Sequence, residues 1–344
     1  MPQKREHYVK QAKAIQTNMK YLSRIASVIT LTIVISLPSL VSAQVLADAI
    51  EKYNEGLEFA QNRDFANAIV TFKEAIEMSN AVGAEADDIR NRAMTQIPRM
   101  SLQIAAGYLR ERDFENGIEA LKDTRELAEK YNDEETARRA LGNLPRAYLQ
   151  LGNILYREGE IDAAAQQYRS ALEIYPNYHN AYYQLGLVYR VRQDLEESLR
   201  NFDRAIELAD SQNDADGANR ARMAAHDYLV FVGARQIEDK QYRRSVETLR
   251  RALGYNPESA EAHYRLAEAF NFQAQWDNAI ESALRALQFD NSPRTEQARI
   301  HFELGVAHKN RGNEQAACNA FENAAFGDFR AAAEHELEHE LNCN

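Results

Sequence analysis

The stretch His335-Glu336-Leu337-Glu338-His339 matches H-E-x-x-H, in which two histidines one helical turn apart bind zinc and the glutamate activates water. Two features weigh against that chemistry. The motif is followed by only five residues, which leaves no third ligand downstream, and its flanks lack the apolar residues of a buried catalytic helix. The reading favoured here is a polar last helix, Asp328 to Leu341, covering the open end of a helical stack. No glycine-rich phosphate loop, nucleophile elbow or zinc-type cysteine cluster occurs elsewhere. Paired acids such as Asp87-Asp88 and Glu134-Glu135 read as solvated charge, and the single Trp276 as a packing residue at a turn. The chain is therefore expected not to be an enzyme and to need no cofactor and no metal.

The elements that carry these residues follow from composition. Hydrophobic residues make up 45% and charged ones 27%, while 7 Pro and 14 Gly are too few for the many turns of an all-β protein. Helix is favoured. The net charge of −11 is uneven: residues 1–43 carry Lys4, Arg5, Lys10, Lys13, Lys20 and Arg24 against Glu6 alone, so the remainder is more acidic still. An acidic body repels phosphate backbones, which argues against nucleic acid as a partner.

The front of the chain reads as a secretory signal. A basic segment ends at Arg24, an uncharged run follows over 25–37, and Pro38 ends the apolar helix so that an extended Val41-Ser42-Ala43 presents small residues to a peptidase. Cleavage is expected between Ala43 and Gln44. The apolar run of 13 residues is shorter than the roughly 17–25 that span a bilayer, so no membrane span is expected after cleavage. Export to the periplasm, with secretion as the alternative, places Cys318 and Cys343 where a disulfide between them is favoured.

Beyond the signal an internal period of 34 residues organises the sequence. Leu151-Gly152, Leu155, Ala164, Tyr168, Ala171 and Pro176 recur as Leu185-Gly186, Tyr189, Ser198, Phe202 and Ala205. Weaker copies are Gly233, Ser245, Leu249, Ala252 and Pro257; Leu266-Ala267, Phe270, Ala279, Ala283 and Ala286; and Leu304-Gly305, Ala317, Phe321 and Ala324. Upstream stand Gly56, Phe59, Ala68, Phe72 and Ala75, then a degenerate copy with Ala105, Tyr108, Gly117, Leu121 and Thr124. Small residues at the eighth and twentieth positions mark where two helices of a hairpin approach most closely, and the aromatics fill the space beside them. Three intervals are about a dozen residues longer, which predicts lengthened helices with a longer loop between repeats.

These residues resemble the tetratricopeptide repeat family. The resemblance implies an all-α, right-handed superhelical solenoid of about seven helix-turn-helix repeats, with domains at 1–43 (signal), 44–327 (solenoid) and 328–344 (capping helix and tail). It also implies a concave face lined by the second, fifth, ninth, twelfth and thirteenth positions of each first helix. On this chain those positions point to Arg146, Asn153, Tyr156 and Arg157; to Asn180, Tyr183 and Arg190; and to Tyr264, Asn271 and Phe272. Arginine, asparagine and tyrosine are residue types that interfaces favour, although the ordinary wet inner face of a solenoid carries them too. Leu149, Gln150 and Leu187 break the Lys/Asn/Arg arrangement with which some family members clamp a C-terminal carboxylate, so no such clamp is predicted. The function expected is an extracytoplasmic interaction scaffold for a protein or peptide partner. The alternatives are a homo-oligomeric spacer in an envelope complex and, a distant third, a metal-dependent hydrolase.

Overall fold

The computed structural model describes residues 41–343, so the expectations for the basic segment and the apolar run lie outside the described residues. Among the described residues the regular structure is entirely helical. Helix α1 covers 41–61. It is followed by α2 (Phe65–Val82), α3 (Asp87–Arg110), α4 (Phe114–Lys130), α5 (Glu134–Glu158), α6 (Ile161–Ile174), α7 (His179–Val191) and α8 (Leu195–Ser211). Then come α9 (Ala215–Glu238), α10 (Tyr242–Tyr255), α11 (Ala260–Phe272), α12 (Trp276–Phe289), α13 (Arg294–Arg311), α14 (Glu314–Ala324) and the short α15 (Arg330–His335). Taken in pairs, α1 to α14 form seven hairpins, as the repeat predicts.

Each hairpin closes through two or three residues, one of them left-handed: Arg63, Arg112, Gly159, Gln193, Lys240, Ala274 and Gly312. Aspartates start several helices by accepting a backbone N–H of the first turn, as Asp64 does from Asn67 and Asp194 from Glu197. Val41-Ser42-Ala43, expected to be extended at the cleavage site, are helical and part of α1.

The three longer repeat intervals are absorbed by helix and not by loop. Helices α3, α5 and α9 have 24, 25 and 24 residues, against 13 in α7 and α11. The connections before them stay short, at 83–86, 131–133 and 212–214. The longer loop predicted from the sequence is therefore absent. Where Pro176, Pro257 or Pro293 stands in the junction the next helix must start afresh. The three long helices have no proline at their junctions and an Asp to cap two of them: Asp133 accepts from Thr136 N at 3.1 Å and Asp214 from Gly217 N at 3.0 Å.

The chain divides into two compact units, residues 1–147 and 148–344. In the first, Ala68, Phe72, Ala75, Ile76, Ala93 and Ile97 form a core, and the degenerate copy compensates for its departures. Thr124, standing where the repeat has Ala, is buried with its hydroxyl 2.8 Å from that of Ser101. In the second unit the first helices of successive hairpins lie side by side, α7 with α9, α9 with α11, and α11 with α13.

The small-residue positions are contact points. A Cβ on Gly152 would stand 2.5 Å from the Tyr168 ring, one on Gly186 2.5 Å from Phe202, and one on Gly305 2.7 Å from Phe321. Tyr168, Phe202 and Phe321 are fully buried, each contributing about 2–3 kcal/mol of burial. In the sixth hairpin both partners change together, with Ala267 facing a repeat position held by Ala283 in place of an aromatic, and both are buried. Serine at the twentieth position adds a bond across the hairpin: Ser198 Oγ donates to Gly186 O and Ser245 Oγ to Gly233 O, both at 2.8 Å.

Beyond α14 a 3-10 turn (Gly327–Phe329) leads into α15, which runs on into a π turn (Glu336–Glu340), and the two form the capping helix expected from the sequence. Ala333 is buried against Phe321, with Leu337 and Leu341 beside it. A Cys318–Cys343 disulfide ties this segment to α14.

Candidate functional site

An open surface of the second unit lies where α9 passes α7. Position six of the first helices holds Gln184 in α7, Phe231 in α9, Arg265 in α11 and Glu303 in α13. In α13 the position is engaged. Asn271 Nδ2 of α11 donates to Glu303 O at 2.9 Å and to Glu303 Oε2 at 2.7 Å. In α9 the aromatic ring at this position finds no such partner on α7. Phe231 stays 56% exposed and, with Val191 at 49%, borders an open cleft of about 670 Å³. Arg190, Asp227, Tyr228, Arg235 and Asp239 complete its walls, and the Arg235 guanidinium lies 5.9 Å from the Phe231 ring centre. The cleft thus combines an apolar floor with charges of both signs at its rim.

The residues singled out from the sequence divide by what they already touch. Arg190 lines the cleft. Arg146 and Arg157 are exposed on α5, and Arg157 Nε donates to Asn153 O at 3.1 Å. Tyr156 is half-buried against the core around Tyr168. Asn153 Oδ1 accepts from Tyr168 OH at 3.0 Å, so this asparagine braces its own hairpin. Asn180 accepts from Arg220 at 3.5 Å, and Tyr183 lies under the same guanidinium, 5.8 Å away.

Tyr264 and Asn271 are corrections to the expected surface. Tyr264 is only 6% exposed, sandwiched between the guanidinium groups of Arg265 at 4.9 Å and Arg299 at 4.7 Å. Asn271 is 9% exposed and spent on Glu303. Both hold α11 to α13. Phe272 is 57% exposed, yet it stacks on Tyr242 of the preceding hairpin with ring centres 4.7 Å apart.

Glu303 sits in this buried polar junction. Burial first, and then the neighbouring Glu268 carboxylate, push its acid up to about 7, against the lowering effect of the Asn271 bond and Arg265. Arg265 is itself held by Glu261 at 2.8 Å and Glu268 at 3.0 Å.

The H-E-x-x-H residues serve the cap. Lys309 Nζ of α13 pairs with Glu336 at 2.5 Å and Glu340 at 3.1 Å, so the carboxylate that would activate water is committed to a lysine. The His335 and His339 rings lie 5.1 Å apart, and among the described residues no group of three or more His, Cys, Asp or Glu side chains is placed to hold a metal. No described helix is long and apolar enough to cross a membrane.

Sequence reasoning missed Phe231, Val191 and Arg235. The available signal was an aromatic at a position that α7, α11 and α13 fill with polar residues.

No curated protein matches the chain. Family models described as TPR repeat and tetratricopeptide repeat match residues 152–191, 179–212 and 237–294. Among solved structures, a match is YrrB, described as a TPR protein with an unusual peptide-binding site, at 22% identity and TM-score 0.36, covering 56% of this chain and 91% of that one. MamA from Desulfovibrio magneticus RS-1 matches at 19% identity and TM-score 0.36, over 58% and 99% of the two chains. The apo form of RapI matches at 16% identity and TM-score 0.40, over 84% and 81%. The three repeat models fall on the third to sixth hairpins, and residues 152–212 and 237–294 are tetratricopeptide repeats.

Proposed function

We propose that the chain is an exported interaction scaffold that holds an extended segment of a protein partner along the first helices of its fourth and fifth hairpins. The observation that carries this reading is the α7–α9 cleft. A phenylalanine more than half exposed beside an exposed valine, rimmed by Arg190, Asp227 and Arg235, has the make-up of an interface anchor. Repeat proteins of this kind expose long surfaces and no enclosed catalytic cavity, which favours binding over chemistry. The basic segment, the apolar run and the Ala43/Gln44 boundary support export to the periplasm.

The test is photo-cross-linking in the source cells, with a photoreactive amino acid placed at Phe231 and, as a control, at exposed Gln166 on α6. One reproducible adduct from position 231, absent from 166 and lost when Val191→Glu is added, is the expected result. Intact mass then gives the mature N-terminus, expected at Gln44. Adducts equal at both positions, or none, would overturn the binding surface, and a full-length cytoplasmic chain would overturn export.

A further inference from the structure

A second cleft, of about 470 Å³, opens at the α9–α10 turn, lined by Lys240, Gln241, Tyr242, Arg243, Arg244 and Gln273. Three of its six lining residues are cations and none is an acid. Lys240, Arg243 and Arg244 are all exposed, and none makes an ion pair among the described residues. Arg244 Nη1 donates only to the neutral Gln241 Oε1, at 3.2 Å. Glu247 stands three residues after Arg244 and four after Arg243, the spacing that usually joins helical charges, yet it pairs with neither. The acid beside Lys240 in sequence, Asp239, lines the α7–α9 cleft instead.

Three arginines of the same region do meet carboxylates. Arg251 on the same helix binds Glu196 at 2.8 Å, Arg204 binds Glu207 at 2.7 Å and Arg222 binds Asp210 at 2.5 Å. In a chain of net charge −11 carboxylates are in excess, yet these three adjacent cations line one cleft that holds no carboxylate. One wall is aromatic: Tyr242 is stacked nearly parallel to Phe272, at 13° between ring planes. A stacked pair is rigid and costs little ordering when a segment lies against it.

We propose that this cleft receives the acidic part of the partner segment, a run of Asp or Glu whose carboxylates meet Lys240, Arg243 and Arg244 while an apolar neighbour rests on the Tyr242–Phe272 stack. The inference rests on the scaffold reading above and names the class of peptide that the scaffold takes. Because the body of the protein repels acidic chains, recognition depends on local pairs formed at contact, and these weaken as salt rises.

The experiment selects dodecapeptides from a random displayed library on the immobilised chain from Gln44 onward. The enriched peptides are then measured by fluorescence anisotropy against that chain, against Arg243→Glu/Arg244→Glu and against a control, Arg138→Ala/Arg139→Ala. Glutamate suits the first turn of a helix, so the charge-reversed variant should fold, which far-UV circular dichroism checks. The expected result is enrichment of Asp and Glu, with affinity at least about tenfold weaker for the charge-reversed variant, equivalent to roughly 1.4 kcal/mol, and unchanged for the control. Enriched peptides that are neutral or basic, or acidic ones bound equally by both variants, would overturn the inference and leave the scaffold reading standing. Failure to select any peptide removes both. Tighter binding of a single-stranded oligonucleotide than of any peptide, or a dimer abolished by the same charge reversal, would also overturn it by giving the cleft another occupant.

Discussion

The Asn271 side chain donates to Glu303 Oε2 at 2.7 Å and joins the sixth hairpin to the seventh, while its own Oδ1 has no hydrogen-bond partner. The acid of this pair is pushed up to about 7 from an ordinary 4.5. A raised carboxyl pKa means that the folded state holds its proton more tightly than the unfolded state. The junction is thus strongest below about pH 4.5 and loses stability as pH rises from there to about 7, by roughly 3 kcal/mol in all. Glu303→Gln keeps the shape without the charge. Thermal melts between pH 5 and 8 should show the native chain falling faster than the variant, with the variant more stable at pH 8. Parallel melts of the two proteins would refute the assignment.

Gly186→Ala is expected to destabilise by about 1–3 kcal/mol, because its Cβ would lie 2.5 Å from the Phe202 ring and that ring is fully buried. Gly142→Ala is the control: nothing stands within 4 Å of its Cβ, and within α5 alanine should be neutral or stabilising by up to about 1 kcal/mol. Urea denaturation of both variants checks the pair, and similar midpoints would contradict the close-approach account.

Reducing the Cys318–Cys343 bond, or replacing both residues by Ser, opens a loop of 25-residue separation. The chain-entropy estimate for such a loop is about 3 kcal/mol. The loss should be local. Hydrogen exchange should rise first in residues 330–341 and in α14, with the hairpins of the first unit unchanged, and uniform acceleration along the chain would count against a local clamp.

His335→Ala together with His339→Ala is expected to leave the melting temperature within the noise of surface substitutions and to change no zinc content, measured by elemental analysis after dialysis. The glutamate between them is bound to Lys309, so Lys309→Ala should loosen the cap where the histidine changes do not. Stoichiometric zinc lost on removing the histidines would reopen the hydrolytic reading.

Helix, hairpin number and the packing face were legible in the sequence because they depend on short-range rules repeated seven times. Gly186 and Phe202 are 16 residues apart in a fixed phase, and a glycine that must admit a ring can be read from one copy and checked in the next. The Cys318–Cys343 bond was expected from an even cysteine count and the export read from the sequence, and the structure holds it. The length of α3, α5 and α9 was only half legible. Pro98 and Pro145 lie inside α3 and α5, where the packed turns on either side outweigh one missing N–H.

What the sequence could not settle is which inner-face residues remain free, since that depends on a neighbour 30 to 40 residues away. Tyr264, Asn271 and Phe231 all sit on first helices and look equally available. Packing of α13 on α11 consumes the first two, through Arg299 and Glu303, whereas α7 offers nothing that covers the third. Repeat periodicity thus determined the hairpins by themselves. Only the stacking of one hairpin on the next decided where a surface was left open, because exposure is a property of pairs of helices and not of any one of them.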